Sequence, residues 1–168
     1  MKKDDFTAKI EDGYALFWQG IFSNFYPCKI KNSEGRVFFS SEQYFMYRKA
    51  DFFNDHETAK KIFYCNTPKE AKALGRNIKS YDDWLWERNR FEIMLDCVRK
   101  KFFQNEDLKE EILSDKYEGV HFVEASPYDR IWGIGYDIDE AMSHRGAWGR
   151  NLLGNILDTV RIELKYGI

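Results

Sequence analysis

Cysteine is scarce in this 168-residue chain: Cys28, Cys65 and Cys97 are odd in number and far apart. They lack the close pairs that a zinc site or a redox dithiol uses, so reduced thiols in a cytoplasmic protein are expected, with no metal and no cofactor. Proline occurs three times, and no Pro/Gly/Ser linker, low-complexity tract or repeat period interrupts the chain. One domain over residues 1–168 is the expectation. The opening Met1-Lys2-Lys3-Asp4-Asp5 is charged and no apolar run follows it, which argues against a signal peptide or membrane anchor. A surplus of positive charge is also missing. With a formal net charge of −2 and a pI near 6.0, no global field exists to neutralise a phosphate backbone, and extended duplex binding is not expected. A local basic pocket for one or two phosphates is compatible with that balance.

What is present is a well-mixed globular composition, 43% hydrophobic and 32% charged. A chain of this length can bury well over half the surface its unfolded form exposes. In the first forty residues aromatic runs alternate with turn residues: Tyr14 to Trp18, Tyr26 to Ile30, a turn at Asn32-Ser33-Glu34-Gly35, and Val37 to Phe39. This predicts a small antiparallel sheet near the N-terminus. At Ser40 the period changes. Ser40 and Gln43 have capping-box spacing and open a predicted helix to about Phe53, followed by a shorter one around Glu57 to Phe63. Thr67-Pro68-Lys69-Glu70 combines an N-cap, a first-turn proline and a capping acid, with Gly75 where a C-terminal glycine is expected. Phe91, Met94, Leu95, Val98 and Phe102 predict a long core-facing helix ending near Gln104. Further helices are expected over Asp107 to Leu113 and from Leu152 past Val160, with a strand at Val120 to Glu124. The predicted class is mainly α (α+β).

The segment between Glu124 and Asn151 resists assignment, and a long aromatic and charged loop in a small protein is often functional. Its Gly133-x-Gly135 lacks the third glycine and the strand-to-helix context of a dinucleotide fingerprint. Within it, Asp129 beside Trp132-Gly133 reads equally as a proton acceptor next to a base-stacking indole or as a turn aspartate beside a packing tryptophan. On the first predicted helix Glu42 and Lys49 are seven residues apart, facing one way with about 10 Å of rise between them. The same placement also complements a helix dipole, which on the residues alone is the simpler reading. Asn24 and Phe25 lie between predicted strands, where they grip a ribose or phosphate or merely hold a turn. Arg76, Arg90 and Arg150 are candidate phosphate ligands or ordinary surface charges, Arg150 gaining from a helix N-terminus. Trp84 and Trp86 cannot both lie on the apolar stripe of the long helix. His56, His121 and His144 form no nucleophile motif with any serine or cysteine.

Taken in order, these segments resemble the NADAR family, the YbiA-like N-glycosidases. The resemblance rests on Phe22-Ser23-Asn24-Phe25, Ser41-Glu42-Gln43-Tyr44-Phe45 with Lys49, Gly75-Arg76, Trp86-Glu87 with Arg90 and Met94, and Lys101-Phe102 with Gln104. It continues through Glu124, Asp129 with Trp132-Gly133-x-Gly135, and Gly149-Arg150-Asn151-Leu152-Leu153-Gly154, spanning about residues 15 to 161. It implies a single-domain, YbiA-like orthogonal helical fold. It also implies a hydrolase acting on the C1′–N bond of a phosphorylated ribosylamine of the riboflavin pathway, or releasing ADP-ribose from a modified guanine in a nucleoside or nucleic acid. A non-catalytic module that binds ADP-ribose or a nucleotide is the alternative. The resemblance reverses the preference at Glu42 and Lys49 and, with Asp129, makes them the implied catalytic residues. It places Asn24, Phe25, Tyr44, Arg76, Trp86, Arg90, Trp132, Gly133, Arg150 and Asn151 around the substrate. The chain departs from the family at Gln43, often His, at Met46 and Arg48, often Gln, and at Arg90, often Lys. The segment from Tyr136 to Ala147 is longer than in short bacterial members. Two routes stay open, water attack on an oxocarbenium-like centre and attack by Lys49 on the ring-opened sugar, with Arg48 expected to lower the amine's pKa.

Overall fold

Ser40 opens the first helix as its spacing predicts: its hydroxyl accepts from the Gln43 amide at 3.1 Å, and α1 runs Ser41–Phe52. In this computed structural model, which describes residues 8–168, the charged opening Met1 to Asp5 lies outside the described residues. The remaining helices are α2 (His56–Phe63), α3 (Pro68–Gly75), α4 (Asp83–Phe103), α5 (Glu106–Ile112) and α6 (Leu152–Tyr166). The strands are short: β1 (Lys9–Glu11), β2 (Tyr14–Phe17), β3 (Ile30–Lys31), β4 (Val37–Phe38) and β5 (His121–Glu124). The chain is thus mainly α with small sheets, as its periodicity predicts. Among the described residues no helix is long and apolar enough to cross a membrane.

Contacts group the described residues into two compact units, one made of Pro27–Asn105 and the other of the segment up to Tyr26 with Glu106–Ile168. In the first, α1 packs against α2, α3 and α4, and is buried almost all round from Ser41 to Tyr47. A helix so placed must pair its polar side chains. Gln43 does so fully. Its carbonyl accepts from the Phe39 amide at 3.0 Å, and its amino group donates to the Ile62 and Phe63 carbonyls at 3.1 and 3.0 Å. This ties the start of α1 to the end of α2, so the reciprocal half of the predicted capping box goes to Phe39 instead of Ser40. The Thr67 box is complete: Thr67 accepts from the Glu70 amide at 3.1 Å, and Glu70 accepts from the Thr67 amide at 3.1 Å. Gly75 differs from expectation. It is the last helical residue, with Arg76 as a right-handed cap, and a Cβ there would strike the Met46 sulfur. Close approach of α3 to α1, not a left-handed turn, requires glycine. Asp82 caps α4 by accepting from the Leu85 amide at 2.8 Å.

In the second unit β2 lies between β1, antiparallel, and β5, parallel. The β1–β2 hairpin turns through Asp12 and Gly13, both at positive φ (46° and 81°), the backbone of a primed two-residue turn. The small antiparallel sheet expected of the first forty residues is divided, β2 joining β1 and β5 while β3 pairs with β4. Tyr26 closes a turn onto Ser23, Pro27 has no amide to donate, and ladder bonding to the Val37 segment begins at Cys28. α6 covers β5, and Leu16, Val123, Ala125, Ile134 and Ala141 form an apolar cluster that the Tyr136–Trp148 segment packs over.

Candidate active site

Lys49 of α1 is half-buried and held on three sides. Its ammonium donates to the Gly75 carbonyl at 3.0 Å and sits 4.6 Å from the centroid of the Tyr81 ring and 5.2 Å from that of Trp86. Each wall has a local cause. Gly75 allows the last turn of α3 to approach α1. Tyr81, just before the Asp82 cap, is held by donating its hydroxyl to Asp83 at 2.7 Å. Trp86, buried on the inner side of α4, packs on Phe45 at 5.4 Å, whereas Trp84 is 63% exposed. Only Trp86 is on the stripe. Burial pushes the Lys49 amine below the usual lysine range, against the opposing pull of the Asp83 and Glu42 carboxylates. Arg48, expected to lower it, plays no such part: it pairs with Asp96 at 2.6 Å and donates to the Tyr44 hydroxyl at 3.2 Å. Side chains at adjacent helix positions do not face one another.

Glu42 is buried seven residues, about two helix turns, before Lys49. Arg90 is buried and paired with Glu87, and its Nε, out of contact with water, has no acceptor among the described residues. An uncompensated guanidinium N–H is costly inside a protein and is a natural seat for an anionic oxygen. Arg76, next to the carbonyl that holds Lys49, is exposed. Tyr44 belongs elsewhere on α1, its ring on Phe38 at 4.7 Å and its hydroxyl in the Arg48–Asp96 network. The structure therefore brings Lys49 together with Trp86, and with Tyr81 and Asp83, which the sequence did not single out. Tyr44 is not part of that group.

In the other unit the 124–153 segment is tightly knitted. Asp129 accepts through one oxygen from the Ile131 and Trp132 amides, both at 2.8 Å, an Asx-type turn that sets the course of Trp132. A Cβ on buried Gly133 would meet the Glu124 carbonyl at 2.6 Å and the Asp129 carbonyl at 3.1 Å. Asn151, left-handed at φ 50°, accepts from the Glu124 amide at 3.0 Å and donates to the Phe122 carbonyl at 2.9 Å. Both ends of its amide thus tie β5 to the start of α6. The first amides of α6 are also occupied, Leu152 donating to Ile131 at 3.1 Å and Leu153 to Trp132 at 3.1 Å. The helix-end advantage expected for exposed Arg150 is diverted to those carbonyls. Asn24 is buried and Phe25 is 40% exposed, in a turn held by Ser23, whose hydroxyl accepts from the Phe25 amide at 3.2 Å.

Residues 16–165, carrying this lysine seat and this knitted loop, match the NADAR domain. The chain belongs to the NADAR family. N-glycosidase R617 of Acanthamoeba polyphaga mimivirus is 37% identical to it over 149 residues, 85% of this chain and 86% of that one. Riboflavin biosynthesis protein VVA0006 of Vibrio vulnificus (strain YJ016) is 34% identical over 146 residues, 87% of this chain and 36% of that longer protein. Among solved structures, E. coli YbiA, determined by NMR, is similar with a TM-score of 0.76 at 26% identity, covering 99% of this chain and 93% of that one. The YbiA-like fold implied by the sequence motifs is the observed one. Two departures from the NADAR pattern now have local accounts: Gln43 joins α1 to the end of α2, and Arg48 pairs with Asp96.

Proposed function

We propose that this NADAR protein is an N-glycosidase that cleaves the C1′–N bond of a phosphorylated ribosylamine of the riboflavin pathway, with Lys49 as nucleophile. The observation that carries the proposal is the Lys49 seat: one carbonyl orients the amine, two rings wall it, and burial favours its uncharged form. The names of the mimivirus and Vibrio relatives support the reaction and the substrate class.

A ribosylamine interconverts with its open-chain imine, which a lysine amine can attack. The Lys49 Nζ–C1′ bond forms, a proton passes from Nζ to the departing nitrogen, and the C1′–N bond breaks. Water then adds to C1′ and the Nζ–C1′ bond breaks, so the sum is hydrolysis to ribose phosphate and free amine. Glu42 is the proposed proton carrier on the Lys49 face of α1, and the buried Arg90 guanidinium, whose Nε has no acceptor among the described residues, is the proposed anion contact. Asp129, whose turn fixes one of its oxygens, is proposed as a second proton carrier. The proposal places the enzyme in the cytoplasm, in keeping with three cysteines of which none is in a disulfide among the described residues.

The test is chromatography of the products formed from a riboflavin-pathway ribosylamine phosphate, with ADP-ribosylguanosine as a parallel substrate. Release of ribose phosphate from the first is expected, and Glu42→Gln and Asp129→Asn should each slow it by about 100-fold or more while remaining folded. Wild-type rates in either variant remove that residue from the scheme. Release from ADP-ribosylguanosine alone would move the substrate class, and a thermal shift without products from either would make the protein a binding module.

A further inference from the structure

A cavity of about 450 Å³ lies in the helical unit away from Lys49. Tyr47 and Asp51 bring α1 to it, and Tyr47 is five residues beyond Glu42, about 140° round the helix from the Glu42 and Lys49 face. Its size falls within the range of small-molecule sites, roughly 300 to 1,000 Å³. Three aromatic rings contribute to its wall. Tyr47 and Phe63 are fixed by packing on Phe38, at 5.0 and 5.4 Å, while Tyr64 stands at the mouth, 69% exposed and edge-on to Phe63 at 5.1 Å.

The charges around these rings are of both signs, and they are unequal in how they are paired. Arg36 stacks over the Tyr47 ring, bonds the Tyr47 hydroxyl and pairs with Glu34 at 2.9 Å. Asp51 faces His56 at 3.6 Å. Lys60, in the last turn of α2, lines the cavity with no ion-pair partner among the described residues. We infer that the cavity is a binding site for a nucleoside monophosphate. The base stacks on the rings, the exposed Lys60 ammonium, which no carboxylate among the described residues holds, pairs with the phosphate, and the Glu34 and Asp51 carboxylates accept from ribose hydroxyls or an exocyclic amine. Simpler ligands match only part of this lining. A divalent cation meets Arg36 and Lys60, inorganic phosphate leaves three rings uncovered and meets two carboxylates, and an apolar molecule leaves Lys60 unpaired. The inference is independent of the reaction proposed at Lys49.

Calorimetric titration of the intact protein with AMP tests it. One AMP should bind in a way that Lys60→Ala and Tyr64→Ala each weaken by at least about fivefold, since loss of one base–aromatic stack alone has that size. Both changes are at the surface, and both variants should release ribose phosphate at the wild-type rate. Adenosine, without the phosphate, and ribose 5-phosphate, without the base, should each bind at this site at least about tenfold more weakly than AMP. No AMP binding, binding untouched by both substitutions, or binding abolished by Lys49→Met would each overturn the assignment.

Discussion

Raising the pH from 8 to 10 should relieve a burial penalty carried by Lys101. This residue of α4 is 1% exposed, and burial drives its amine down to about 8, with only the Cys28 thiol pulling the other way. In the unfolded chain the same amine titrates near 10.5. Between those values the unfolded state holds more protons than the folded one, so stability rises with pH. At about 1.4 kcal/mol per unit, the full displacement corresponds to about 3 kcal/mol, of which about 2 kcal/mol is recovered between pH 8 and 10. Thiols and tyrosines whose protons burial holds in the fold oppose the trend, Cys97 and Tyr81 among them. The buried Cys97 thiol is pushed well above 9 and Tyr81 is pushed up to about 12, so each keeps its proton in the fold where the unfolded chain releases it, lowering stability above pH 9 and pH 10 respectively. Lys101→Met removes the amine and leaves the opposing groups in place. Urea unfolding of the two proteins at pH 7, 8, 9 and 10 isolates the lysine as the difference between their stabilities. That difference should shift in favour of the wild type by about 2 kcal/mol from pH 8 to 10. A difference that stays level across the range would refute the burial argument.

Two further outcomes follow from the site. The covalent route needs the Lys49 amine uncharged, so kcat/KM should climb with pH along a limb centred below 10.5, and Tyr81→Ala, by letting water reach the ammonium, should move that limb upward. An unmoved limb in the variant means that Tyr81 does not screen the amine. Gly133→Ala should destabilise the protein by about 2 kcal/mol or more, because its Cβ would press on the backbone carbonyls of Glu124 and Asp129. A thermal melt unchanged by the substitution would show that the segment yields freely.

Local chemistry was legible in the sequence, and contacts between distant segments were not. Thr67, Pro68 and Glu70 announce α3 because a capping box is satisfied within four residues. The Asp12-Gly13 dipeptide is an equally local hairpin signal, but Lys9–Glu11 holds a single apolar residue and so gives β1 no alternation of its own. Strand β5 was visible as a strand, but nothing in His121–Glu124 reveals that its partner is β2 in parallel. The same division holds at the site. Glu42 and Lys49 were found by helical spacing and family resemblance, whereas Tyr81 joins Lys49 only through the packing of α3 and α4 against α1. In sequence Gly75 reads as a helix-ending glycine, because a missing side chain looks alike whether the backbone needs freedom or a neighbour needs room. Asn151 stands out by its motif, while the β5 backbone that its amide binds lies 27 residues earlier, a pairing no local pattern shows.

The most direct measurement is peptide mass spectrometry after the protein turns over a ribosylamine phosphate in the presence of cyanoborohydride. If an amine seated between Tyr81 and Trp86 takes up the sugar, the peptide containing Lys49 gains the mass of a reduced ribose phosphate. Continued product release with that peptide unmodified would contradict the account.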